Sequence, residues 1–139
     1  MQPVRIILKA LTAEMDMSFR GNSLEVRELP FRIGRECRDK TPAAPPPGLN
    51  DRRGLAGSRT NDLYIVEPGP RLFISRQHLL IEKRENGYVL VDLFSACGTI
   101  VEGRYIGGDH NGGEANLEHE DVVIIGTAGS PYVFKVLML

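Results

Sequence analysis

The sequence predicts an all-β protein, a β-sandwich of two antiparallel sheets. Two observations carry this. Short runs rich in branched and aromatic residues recur along the chain, separated at close intervals by turns bearing Gly, Pro or Asn. No stretch sustains the 3.6-residue periodicity of an amphipathic helix. Length agrees, because 139 residues with 42% hydrophobic content support one domain with a real core and are few for two. A single domain over residues 1–139 is therefore expected.

Residues 4–11, Val4-Arg5-Ile6-Ile7-Leu8-Lys9-Ala10-Leu11, form a branched, apolar run that reads as a first strand. Arg5 and Lys9 interrupt it, and it is too short for the apolar region of a leader or for a spanning helix. Residues 19–24 carry Gly21-Asn22 between apolar residues and read as a hairpin. Residues 24–29 alternate apolar and polar, the pattern of a half-buried strand. Pro30 breaks this strand, and Phe31-Arg32-Ile33-Gly34 resumes it. Residues 36–60 are different in kind, with Pro42, Pro45, Pro46, Pro47, Gly48, Gly54 and Gly57 lying among five basic residues. Almost nothing apolar is present there to bury, so the stretch reads as a long inserted surface loop. Thr41-Pro42 and Thr60 mark it as a possible target of a threonine kinase.

Strands then follow at 63–66, 80–84, 88–93, 99–101, 105–106, 122–125 and 132–137. Turns at Pro68-Gly69-Pro70, Asn86-Gly87, Glu102-Gly103 and residues 107–113 separate them. Asn86-Gly87 is the strongest hairpin signal, because that pair accepts the positive φ of a tight turn. Residues 117–122 read as a turn into a core strand.

The net charge of -1 selects neither nucleic acid nor membrane, but its distribution is uneven. Basic residues dominate from Arg32 to Arg76, and acidic residues dominate from Glu85 onward, which would give the domain a positive rim. Cys37 and Cys97 form no metal-type pair. Two lone thiols point to a reducing compartment, and a cytoplasmic location is expected. Asp109, His110, Glu118, His119, Glu120 and Asp121 match the spacing of no metal site.

The chemistry-bearing residues fall at strand ends. Arg35 follows Gly34 where a strand meets a loop, and a guanidinium there can fork onto two oxygens of an anion. Ser75-Arg76-Gln77-His78 puts a hydroxyl, a second cation and an imidazole on one short loop. A phosphorylated side chain carries about -1.5 to -2 charge and three acceptor oxygens, and this donor set suits it. Ser75, His78 and Asp92 superficially resemble a nucleophilic triad, but nothing supplies a nucleophile elbow and no enzyme is expected. No cofactor or metal is expected either.

Gly34-Arg35, Asn61-Asp62-Leu63-Tyr64-Ile65, Ser75-Arg76-Gln77-His78, Asp92-Leu93-Phe94-Ser95-Ala96-Cys97-Gly98-Thr99, and the stretches 100–103 and 117–126 fall in one order and register. In that arrangement the chain resembles the forkhead-associated (FHA) family over roughly residues 24–139. The resemblance implies an FHA/SMAD-like sandwich that binds phosphothreonine in a partner protein. It places Arg35, Ser75, Arg76 and Cys97 at the phosphopeptide, with Gly34, His78, Gly98 and Thr99 supporting the binding loops. It further implies that residues 36–60 are an insertion at the recognition edge, since family members cross there in a handful of residues.

Two positions depart from the family pattern. Ala96-Cys97 stands where a small hydroxylated residue and Asn are usual, the Asn holding the bound peptide's main chain. Alanine offers no polar atom, and a thiol is a weak donor and acceptor. Glu102 also replaces a usual Asn in the next turn. Two readings therefore stay open. One is a phosphothreonine reader with a weakened peptide clamp, supplemented by Arg52, Arg53 or Arg59 of the insertion. The other is a phosphate-independent protein-interaction module. Neither expects nucleic acid or membrane as a partner, and a monomer is expected.

Overall fold

Alternation of branched apolar side chains decides the two layers, because each strand turns every second residue to one face. A computed structural model describes residues 4–36, 61–68 and 72–139. The 36–60 insertion, with Thr41, Thr60, Arg52, Arg53 and Arg59, lies outside the described residues apart from Glu36. Eleven strands and one helix are described. They are β1 (Ile6–Ala10), α1 (Ala13–Phe19), β2 (Ser23–Val26), β3 (Phe31–Arg35), β4 (Leu63–Ile65), β5 (Leu79–Arg84), β6 (Gly87–Asp92), β7 (Thr99–Val101), β8 (Arg104–Ile106), β9 (Gly113–Leu117), β10 (Val122–Ile125) and β11 (Val133–Met138). A six-stranded sheet in the order β2-β1-β11-β10-β7-β8 packs on a five-stranded sheet in the order β4-β3-β5-β6-β9. This is the expected sandwich. One pairing differs from a purely antiparallel pattern: β3 and β4 run parallel, because the chain leaves β3 and crosses over through residues 36–62 before entering its neighbour in the same direction.

The core lies between the sheets. Ile6 and Leu8 of β1, Val123 and Ile125 of β10, and Phe134 and Val136 of β11 face Ile33, Leu79, Ile81 and Leu90 of the opposite sheet in one buried cluster.

Three local expectations are corrected. Residues 13–19 form a helix where no helix was expected. Two turns are too short to display a period, but Met15 and Phe19 lie one turn apart and are both buried. Its ends are marked in the sequence: Thr12 accepts the N–H of Met15, Glu14 and Asp16 occupy the first turn, and Arg20 closes it in the left-handed region. The hairpin expected over 19–24 is thus a helix exit, and β1 pairs with β2 around the helix. Strand β9 was hidden among expected turns, because Gly113, Glu114, Ala115 and Asn116 have low strand propensity. Pairing with β6 holds it, with Ala115 and Leu117 facing the core. The β5–β6 hairpin forms where expected, but Glu85 and Asn86 make its tip, and it is Gly87 that takes a positive φ of 139°.

Phe134 is fully buried and meets Phe19 at 6.2 Å between ring centroids, tying α1 to the sandwich. Phe134→Ala is expected to cost about 3–5 kcal/mol, read as a lowered urea midpoint with an unchanged slope.

Candidate functional site

Close approach of backbone fixes the floor of the site. A Cβ on Gly34 would collide with the Arg76 carbonyl oxygen and lie 2.6 Å from Asn61 Nδ2, so only glycine lets the 75–78 loop lie against β3. Arg35 follows. Its backbone N–H donates to the Ser75 carbonyl at 2.9 Å, and its Nε donates to the Ile74 carbonyl at 2.9 Å. The guanidinium is therefore laid along the loop. Among the described residues its two Nη groups hold no partner.

Ser75 joins two loops. Its carbonyl takes the Arg35 N–H, its N–H donates to His78 Nδ1 at 3.0 Å, and its Oγ accepts the Ala96 N–H at 3.0 Å. The hydroxyl proton of Ser75 is left to donate elsewhere. Arg76 is exposed, and its carbonyl accepts from Asn61 Nδ2 at 2.7 Å.

His78 is completely buried. Because Nδ1 faces an N–H, it must accept, so Nε2 carries the proton and donates to the Gly98 carbonyl at 2.8 Å. Burial pushes the imidazole's pKa below its ordinary value, opposed by the Gly98 hydrogen bond and the charge of Asp92. The Asp92 carboxylate accepts from the Ser95 N–H at 2.8 Å, from Ser95 Oγ at 2.7 Å and from Thr99 Oγ1 at 2.8 Å. Ser95 Oγ in turn accepts the Gly98 N–H at 2.9 Å. Gly98 has a φ of 84°, and a Cβ there would meet the Tyr105 ring at 2.7 Å.

This is not a nucleophilic triad. His78 takes the backbone N–H of Ser75 and not its hydroxyl, and Asp92 Oδ2 is 3.9 Å from His78 Nε2. Among the described residues no base stands where it would activate the serine.

The candidate residues divide accordingly. Gly34, Arg35, Ser75, His78, Gly98 and Thr99 belong to one bonded assembly. The Arg76 side chain projects from its rim. Cys97 follows Ala96, whose N–H is bonded to Ser75; its Sγ lies 3.8 Å from the Leu72 carbonyl, and its own carbonyl receives the Tyr105 hydroxyl at 2.8 Å. Glu102 takes a φ of 46° in the β7–β8 turn, a position that favours Asn or Gly. Its carboxylate accepts the Val122 N–H at 2.8 Å.

Sequence reasoning missed Glu67. It is only 4% exposed, and its two carboxylate oxygens accept the N–H groups of Ile74 at 2.9 Å and Phe73 at 2.8 Å. A single Glu after a strand carries no spacing signal, since its partners are fixed only by the fold. Asn61 was noted only as part of a motif, and its role under Arg76 was likewise invisible.

The FHA domain profile matches residues 31–126, and the chain belongs to the FHA family. No curated protein matches it. Among solved structures it is similar to the FHA domain of the CT664 protein from Chlamydia trachomatis, at 24% identity with a TM-score of 0.54 over 96% of both chains. It is also similar to full-length yeast Pml1p, at 18% identity and a TM-score of 0.63 over 99% of this chain and 84% of that one. A third is EmbR of Mycobacterium tuberculosis, solved in complex with a low affinity phosphopeptide, at 19% identity and a TM-score of 0.56 over 98% of this chain and 25% of that one. At these identities the likeness concerns the fold.

The depressed His78 pKa has a pH consequence. In the unfolded chain this histidine protonates around its ordinary value of about 6.5, while in the folded protein it resists. Below that pH the unfolded state binds the extra proton, so the contribution is complete above about pH 6.5 and is lost as pH falls through the window beneath it. Urea unfolding between about pH 7 and 5 should show stability falling with pH, by at most about 1.4 kcal/mol per unit from this group. In His78→Gln that part of the slope should vanish. Separately, Glu67→Gln turns an amide toward one of two backbone donors and should cost about 1–3 kcal/mol, with amide exchange accelerated at Phe73, Ile74 and Ser75.

Proposed function

We propose that this domain binds phosphothreonine in a partner protein through Arg35, Ser75 and Arg76. The observation that carries the reading is the placement of Arg35 and Ser75. Nε of the guanidinium is held by the Ile74 carbonyl while its Nη groups have no partner among the described residues, and the Ser75 hydroxyl, which accepts from the Ala96 N–H, keeps its proton. A doubly charged phosphate has acceptor oxygens for all three kinds of donor. Family membership supports this reading, as does the phosphopeptide bound to EmbR.

The peptide side of the clamp is thin. Ala96 contributes no side-chain polar atom, and its N–H is already taken by Ser75 Oγ. The Cys97 thiol lies beside the Leu72 carbonyl, and a thiol holds a peptide main chain poorly. In this proposal the phosphate supplies most of the affinity, and the residues around it supply little.

Titration of a phosphothreonine peptide and its unmodified twin tests this directly. Binding is expected for the phosphorylated peptide alone. Arg35→Ala should weaken it by one to two orders of magnitude, about 1.5–3 kcal/mol for a hydrogen-bonded charge. Cys97→Asn should strengthen it by up to about tenfold. Equal affinity for the two peptides would instead identify a phosphate-independent interaction module.

A further inference from the structure

The outer face of the six-stranded sheet meets the recognition edge through Tyr105, whose hydroxyl bonds the Cys97 carbonyl, and several of its other side chains are apolar. An antiparallel sheet with one wet face alternates apolar inside and polar outside. The five-stranded sheet does so only in part: Glu82, Arg84 and Glu114 point outward, with Arg84 bridging both carboxylates, and the register sets Leu80, Val89 and Val91 on the same face. The six-stranded sheet does not. Cross-strand register places Tyr105, Ile100, Ile124 and Val133 side by side in one outward row over β8, β7, β10 and β11. A parallel row brings Leu137 beside Ile7. On β1, β7, β10 and β11 the residues between these positions are buried, so the half-buried Ile7, Ile100, Ile124, Val133 and Leu137 point away from the core, and Tyr105 of the edge strand β8 is exposed.

Between the rows lie two cations. Lys9 and Lys135 are direct cross-strand partners, an arrangement in which like charges repel. Neither forms an ion pair among the described residues. Lys9 is exposed, whereas Lys135 is partly covered. The nearby acid on this face, Glu25, is engaged by Arg5 at 3.3 Å. The fold thus supplies apolar area on both sides of an uncompensated positive pair.

We infer that this face docks a protein partner presenting apolar side chains around a carboxylate that sits between Lys9 and Lys135. Charge complementarity selects that occupant over two others. A second copy of the chain meeting this face about a two-fold axis would bring four ammonium groups together or press lysines onto aliphatic side chains. An anionic membrane is met by clusters of about four to eight basic residues, and this face has two free ones. Arg35 stands on β3 of the five-stranded sheet and Ser75 on the loop before β5, whereas Lys9 and Lys135 stand on the six-stranded sheet, so the inference stands whether or not the domain reads phosphothreonine.

The test is a heteronuclear NMR titration of the isotopically labelled domain with a synthetic peptide alternating Leu or Val with Glu. Controls are the same peptide with Lys in place of Glu, and phosphatidylserine-containing vesicles. The Glu peptide should shift the amides of Ile7, Ile124, Val133 and Leu137. Lys9→Glu combined with Lys135→Glu should weaken this by at least about tenfold and transfer binding to the Lys peptide. The double variant should still bind a phosphothreonine peptide if the parent does, which separates this inference from the functional one. Should the double variant fold poorly, Lys9→Glu alone, at an exposed position, should give a loss in the same direction. No shifts on this face, equal shifts with both peptides, a response to vesicles alone, or self-association through these residues would each overturn the inference.

Discussion

A neutral imidazole governs the recognition edge. His78 is pinned by two partners with fixed and opposite roles, an N–H from Ser75 and a carbonyl from Gly98. Only the neutral tautomer protonated at Nε2 satisfies both, and protonation at Nδ1 would set a donor against a donor. The 75–78 loop and the 94–98 loop therefore cannot be placed independently. Asp92 extends the assembly by gathering Ser95 and Thr99. These groups are buried in a largely apolar sandwich, where a satisfied hydrogen bond is strong and an unsatisfied one costly. Ser75 owes its position to this network and Arg35 owes its orientation to Ser75 and Ile74, so the exposed donors inherit their geometry from a group that never reaches solvent.

The layers and most strands were legible because branched residues at period two leave little choice about which face is buried. β7 and β10 fall on the residues expected, each bounded by unambiguous turn residues. The helix and β9 were not legible, for opposite reasons. Residues 13–19 are too few to show a period, and their buried pair Met15 and Phe19 gains meaning only from the sheets they cover. Residues 113–117 contradict strand propensity and adopt it because β6 offers a free edge. At the site, short motifs revealed Arg35, Ser75 and His78 because the signal is local and ordered. Glu67 escaped because its partners lie across a loop and its own surroundings carry no pattern. Local grammar shows which residues gather at the strand ends better than which residues hold them still.

In the proposed function the peptide side of the clamp is thin and the phosphate side firm, for one physical reason. Ser75 Oγ accepts the Ala96 N–H, which draws the 94–98 loop to the 75–78 loop without using a side chain at position 96. An alanine therefore costs the unliganded fold nothing. At position 97 the backbone carbonyl is held by Tyr105 and the thiol has only a weak contact, so loop geometry does not demand an amide there either. In the proposal, architecture and peptide recognition are separate requirements at these two residues, and the second is met weakly. In the proposed function that separation favours reading phosphorylation over reading the surrounding sequence.

The proposed docking face and the recognition edge share one structural element. β7 sends Thr99 inward to Asp92 and Ile100 outward to the apolar row. Coupling between two sites requires an element with two arrangements that each ligand favours unequally. β7 is paired on both sides, with β10 and β8, and its Thr99 is fixed by a buried carboxylate. A one-residue slip would bury Ile100 in place of Thr99 and strip Asp92 of a donor, while exposing the buried Val101. No second register of comparable energy is open to it. The strand thus acts as a rigid spacer, and two ligands on these surfaces would bind additively, each anchored to the same body and neither altering the other's affinity.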